Sequence, residues 1–144
     1  MIEIRKQPLT DTLKAVIYDG FRLHSIAMTG HDGKNDLIAF VAMDKQDFAG
    51  AVAVAVFWGA LHIKYVYVTE KYRDQGLGTR LMEYAFLYGK KNQCPFAFLE
   101  TMSFQALEFY ERLGFSLEFT RTGFSHGTSF HYLRKDLLSQ SNSE

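Results

Sequence analysis

Val66-Tyr67-Val68-Thr69-Glu70-Lys71-Tyr72-Arg73-Asp74-Gln75-Gly76-Leu77-Gly78-Thr79-Arg80-Leu81-Met82 joins a strand to a helix through Arg-x-x-Gly-x-Gly. Residues 66 to 68 are β-branched and aromatic, as in a buried strand, and Leu77, Leu81, Ala85 and Tyr88 then recur at helical spacing. The glycines therefore fall at the helix N-terminus. There the first N–H groups lack intrahelical partners and the macrodipole favours negative charge, so an anion such as a pyrophosphate can dock on main chain. With no Cβ at Gly76 or Gly78, phosphate oxygens can approach the backbone, and Arg73 can add a charge-assisted hydrogen bond.

Two other phosphate motifs do not fit. A P-loop requires Gly-x-x-x-x-Gly-Lys-Ser/Thr, and a dinucleotide fold requires Gly-x-Gly-x-x-Gly after an early strand. The segment resembles instead motif A of the GNAT superfamily of N-acetyltransferases, Arg/Gln-x-x-Gly-x-Gly/Ala, with Arg73, Gly76 and Gly78 matching in turn. A second match follows. Phe96 to Glu100 reads as a buried strand, and Ser103 to Phe115 reads as a short amphipathic helix closed by Gly114. That stretch is similar to motif B, Asn-x-x-Ala-x-x-Phe-Tyr-x-x-x-Gly-Phe, through Ala106, Phe109, Tyr110, Gly114 and Phe115. Ser103 replaces the usual Asn. Serine can still cap a helix, but its shorter reach weakens the contact that Asn often makes with coenzyme A.

The resemblance implies an α/β (α+β) fold with a mixed central sheet of about six to seven strands flanked by about four helices. Local patterns supply the same order. Ile2 to Lys6 alternates as a first strand, Pro8 and Thr10-Asp11 open a helical region to about Met28 that Gly20 interrupts or bends, and residues 29 to 36 form a polar loop. Leu37 to Met43 and Ala49 to Phe57 make a hairpin about Asp44-Lys45-Gln46-Asp47, and Leu61 to Val68 is the next strand. Phe115 to Arg121 and Ser129 to Arg134 form a second hairpin, and residues 139 to 144 a frayed tail. The chain reads as a single domain over residues 1–144.

Composition narrows the functions. Lys+Arg and Asp+Glu are equal at 16 each, with no basic block, which argues against a large nucleic-acid footprint and favours a small-molecule or peptide amine as partner. No apolar run approaches the roughly 20 residues of a membrane span. The single cysteine, Cys94, excludes an internal disulfide, and no signal peptide is evident, so the expected location is cytoplasmic. His24, His31, His126 and His131 lack metal-ligand spacing, so no metal is expected. Dimerisation is common in the family, and the sequence leaves the interface open.

Acetyl transfer to an amine needs a deprotonated amine, charge stabilisation on the carbonyl oxygen and a proton for the leaving thiolate. Glu100, ending the strand after motif A, is the first candidate for base, with binding the substrate cation or capping the next helix as alternatives. His62 is the second candidate base or a pocket wall. Main-chain N–H groups near Val68 can polarise the carbonyl. Tyr110 matches the tyrosine that many family members use as acid, its alternative role being a core aromatic. The resemblance implies acetyl-CoA as cosubstrate, held by Val66, Tyr67 and Val68, by the loop residues Arg73, Asp74, Gln75, Gly76, Leu77, Gly78 and Thr79, and by Ser103. Asp74 is expected to turn outward and cap the helix, or to meet Arg73 or a lysine. His126 lies where the family completes its acceptor site. The implied activity is N-acetyltransferase; a coenzyme A-binding sensor without turnover is the alternative, and acetylation of aminoacyl-tRNA is disfavoured by the balanced charge.

Overall fold

The computed structural model describes residues 1–105 and 107–138, so the motif B residue Ala106 and the tail expected at 139 to 144 lie outside the described residues. The chain divides into two compact units, Met1–Lys34 and the remainder from Asn35.

In the first unit, helix α1 spans Asp11–Thr29. Thr10 caps it, its Oγ1 accepting from the Leu13 N–H at 3.1 Å, and Gly30 ends it at φ 80° with its N–H bonded to Ile26 O. Gly20 does not interrupt the helix. Glycine costs a helix interior about 1 kcal/mol relative to alanine, which a 19-residue helix capped at both ends absorbs. Nor do residues 2 to 6 form the expected strand. Alternation supplies a face, but a strand also requires a neighbour to take its ladder hydrogen bonds, and residues 1 to 10 enter no ladder.

The second unit contains strands β1 (Ile38–Asp44), β2 (Asp47–Phe57) and β3 (Ala60–Val68), then helix α2 (Leu77–Lys91), strand β4 (Phe96–Met102), helix α3 (Leu107–Arg112) and strands β5 (Ser116–Arg121) and β6 (Phe130–Asp136). The sheet order is β1-β2-β3-β4-β6-β5, antiparallel except for the parallel β3–β4 pair. The expected mixed α/β class is found, with six strands and three α-helices among the described residues.

Two features of this sheet create the site. The β3–β4 pairing covers only Leu61↔Ala97 and His62↔Phe98, after which the strands diverge. A register shift in β2–β3 leaves Lys64 as the extra residue of β3, and such bulges bend a strand and sharpen its twist. Below the sheet, Leu81, Met82, Ala85 and Gly89 of α2 pack with Val52, Val54, Leu61, Ile63, Ala97, Leu99 and Leu133 into the core. Gly89 allows close approach, because a Cβ there would lie 2.9 Å from both Leu61 and Leu137 side chains. Cys94 is part of this core, and burial pushes its thiol pKa up, which suits packing rather than nucleophilic chemistry.

Candidate active site

The divergence of β3 from β4 opens a cleft that continues over the N-terminus of α2. This donor cleft, of about 550 Å³, is lined by Val66, Tyr67, Val68, Arg73, Asp74, Gly76, Leu77, Gly78 and Thr79 on one side, and by Gln105, Phe109, Tyr110 and Arg112 on the other. A smaller cleft of about 280 Å³ runs between the strands, lined by Ile63 to Tyr67, Leu99, Glu100, Gln105 and Tyr110.

Gly76 is the N-cap residue of α2 at φ 80°, a left-handed conformation that suits glycine, and its carbonyl accepts the first intrahelical bond, from Arg80 N at 3.1 Å. The N–H groups of Leu77, Gly78 and Thr79 precede that bond, and no side chain caps them. Asp74 therefore does not cap the helix. It sits at φ 61° in the turn before it and lines the donor cleft. Gly78 sets the width of the cleft, since a Cβ there would come within 3.2 Å of Phe109 Cζ. Arg73 folds back so that Nε donates to Val68 O at 2.9 Å, with its guanidinium 5.8 Å from the Tyr67 ring centre. Among the described residues nothing takes the two terminal nitrogens, which remain for an anion.

The loop is tied down at each end. Thr69 N–H donates to Ala49 O at 2.9 Å, and Tyr72 in the single turn Glu70–Tyr72 donates its hydroxyl to Asp44 Oδ2 at 2.8 Å. The bond to Asp44 raises the Tyr72 pKa, and the bond to Asp47 raises that of Lys71. Because Thr69 N–H points to β2, the alternation of an extended strand turns the N–H of Val68 and the N–H and C=O of Val66 towards the opposite edge, where β4 has moved away; Val68 O faces the same way but is taken by Arg73 Nε. An amide-bearing chain can pair with that edge. The three N–H groups, free among the described residues, the cradle that a side chain at 78 would fill and the strand edge that β4 leaves open at Val66 fit a diphosphate carrying an amide-linked arm, as in coenzyme A.

Glu100 projects from β4 into the smaller cleft, 29% exposed, with Oε1 3.0 Å from Nε2 of His62 on β3, which is 16% exposed. The Phe98 ring stacks on the His62 imidazole at 4.5 Å and 3°. The imidazole is thus fixed in plane and in hydrogen bonding. Tyr110 on α3 lines both clefts, and burial raises its phenol above the ordinary value.

Three expected residues lie elsewhere. Ser103 does not cap α3: its Oγ accepts from Ser129 N–H at 2.9 Å, and the helix begins at Leu107. Gln75 lines a separate groove with Phe40, Asp44 and Arg80, and its amide donates to Lys71 O at 3.3 Å. His126 occupies the turn Ser125–Gly127 at φ 62° and lines neither cleft. Conversely, sequence reading overlooked Gln105, Phe109 as a cleft wall, and Arg112. The signal for the last two was present, since they flank Tyr110 on the same helix.

Comparison with known proteins gives concordant results. Residues 35–117 match the family described as "Acetyltransferase (GNAT) domain". The acetyltransferase Atu2258 of Agrobacterium fabrum is 29% identical over 119 residues, covering 83% of this chain and 87% of that protein. The blasticidin-S acetyltransferase of Streptomyces morookaense is 32% identical over 95 residues, covering 65% of this chain and 70% of its own length. A Bacillus anthracis structure described as a streptothricin acetyltransferase, solved in complex with acetyl coenzyme A, superposes with a TM-score of 0.64 at 25% identity, covering 72% of this chain and 64% of that one.

Proposed function

We propose, from the premise that this chain belongs to the GNAT acetyltransferase family, that it moves the acetyl group of acetyl-CoA to a primary amine of a small molecule or peptide by direct attack. The observation that carries the reading is that Tyr110 lines both the donor cleft and the cleft holding Glu100, so an acid and a base flank one point of transfer. The family supplies the donor, whose thioester brings an activated acyl group and a good leaving thiolate. The names of the blasticidin-S and streptothricin relatives support a small-molecule acceptor.

The roles follow from position. Leu77, Gly78 and Thr79 N–H groups and the Arg73 terminal nitrogens bind the diphosphate. The outward N–H groups of Val66 and Val68 align the arm, and a main-chain N–H there donates to the carbonyl oxygen. Glu100 removes the proton that an alkyl ammonium, with a pKa of about 10.4 in water, must lose before it attacks. His62 donates to Glu100 and fixes the carboxylate orientation. Tyr110, protonated at neutral pH as any phenol is, gives a proton to the departing thiolate, whose ordinary pKa is about 8.5.

Thermal stability in a titration with acetyl-CoA, with Gly76→Glu as control, tests the donor site. Ligand at about 100 times its dissociation constant adds roughly 2.7 kcal/mol to the wild type. No stabilisation at millimolar ligand would refute the reading; stabilisation confined to the wild type is expected, and screening of amines then identifies the acceptor.

A further inference from the structure

Val66, Tyr67, Gln105 and Tyr110 are the residues common to the donor cleft and the smaller cleft that holds Glu100. Acyl transfer brings the attacking nitrogen within about 3–3.5 Å of the carbonyl carbon, so that carbonyl must lie where the two clefts share walls. Of the four, Val66 and Tyr110 have roles in the transfer and Tyr67 lies against the Arg73 guanidinium, while Gln105 has no role so far. It is also held in a way that an exposed turn residue does not require.

Thr101, just 3% exposed on β4, donates its hydroxyl proton to Gln105 Oε1 at 2.8 Å. The Gln105 main chain is pinned on both sides, its N–H bonded to Met102 O at 3.0 Å and its carbonyl accepting from Leu107 N at 2.8 Å. A side-chain amide has one acceptor oxygen and one donor nitrogen. With the oxygen engaged by a buried hydroxyl, the Nε2 group is the end left for the clefts, and it can only donate. The group at the shared wall that calls for a donor is a carbonyl oxygen gaining negative charge.

The geometry points to Gln105 as a further hydrogen-bond donor to the acyl carbonyl oxygen, with Thr101 as the positioning residue that selects which end of the amide faces it. This rests on the acetyl-transfer reading above. It adds a side-chain donor to the main-chain N–H of β3, so that the oxygen is held from both walls of the cleft. Acetyl-CoA and free CoA differ only in the acyl group. A donor to that carbonyl therefore distinguishes the two ligands, whereas a residue that merely shapes the cleft does not.

Calorimetric titration of acetyl-CoA and of CoA into wild type, Gln105→Met, Thr101→Val and Gly76→Glu tests this without turnover. Methionine matches the length of glutamine and removes the donor; because it also leaves the Thr101 hydroxyl without its partner, unchanged CoA binding serves as the control for an intact fold. Gln105→Met should bind acetyl-CoA about 3- to 10-fold more weakly, the range of one hydrogen bond, and bind CoA as the wild type does. Thr101→Val should shift acetyl-CoA binding in the same direction and leave CoA unaffected. Equal weakening for both ligands, or none in Gln105→Met, would overturn the assignment while the wild type still binds. Absence of binding by the wild type itself, matching Gly76→Glu, would overturn the donor site and this proposal with it.

Discussion

Burial raises the Tyr110 phenol above its ordinary value of 10.0, which keeps a proton on the hydroxyl throughout the range where a thiolate needs one. Tyr110→Phe retains the ring contacts with Phe109 and Phe115 and deletes only that proton. Turnover should fall about 100-fold, the lower range for a general acid, with acetyl-CoA binding little changed. Steady-state rates paired with a binding titration decide it, and full turnover would remove the acid role. The same shift has a stability consequence. A pKa raised by folding means the native state holds its proton above pH 10 while the unfolded chain releases it, so stability falls as pH climbs from about 10 through the native value. Tyr110→Phe should flatten that alkaline decline in denaturant melts. On the other side of the proposed transfer point, Glu100→Gln keeps the size of the side chain and removes the proposed base, so kcat should drop with acetyl-CoA affinity unaltered. His62→Gln should lower kcat by less, because it disturbs only the orientation of the carboxylate. A loss in His62→Gln exceeding that in Glu100→Gln would reverse the two roles.

At the scale of elements, the site depends on how β2 holds β3 while β3 leaves β4. Gly50 pairs with Val68 at the end of that ladder, and a Cβ there would lie 2.7 Å from the Tyr67 carbonyl oxygen and 3.2 Å from Val68 Cα. Both are main-chain atoms, so the strand itself must move. Gly50→Ala should cost about 1–3 kcal/mol, as overpacking does, and weaken donor binding by displacing the Val66–Val68 edge. Chemical denaturation with an acetyl-CoA titration checks both, and a variant of wild-type stability would show that the strands yield there. Elements whose signals are local were legible in the sequence. The β1–β2 hairpin, the strand–loop–α2 joint and the β5–β6 hairpin lie where alternation and turn residues place them. Ile2 to Lys6 shows what local signals omit, because its alternation is as good as that of β1 but a ladder partner is a non-local property. Gly20 shows the opposite error, a local breaker overridden by a long helix with strong caps.

For the molecule as a whole, the part of the site legible in sequence is the part built by contiguous chain. Arg73, Gly76 and Gly78, the core of the proposed donor site, can be read together because one turn brings them to one cleft. The pairing of His62 with Glu100 joins residues 38 apart in sequence, and Gln105 acquires meaning only through Thr101 and the meeting of two clefts, so neither could be read from spacing.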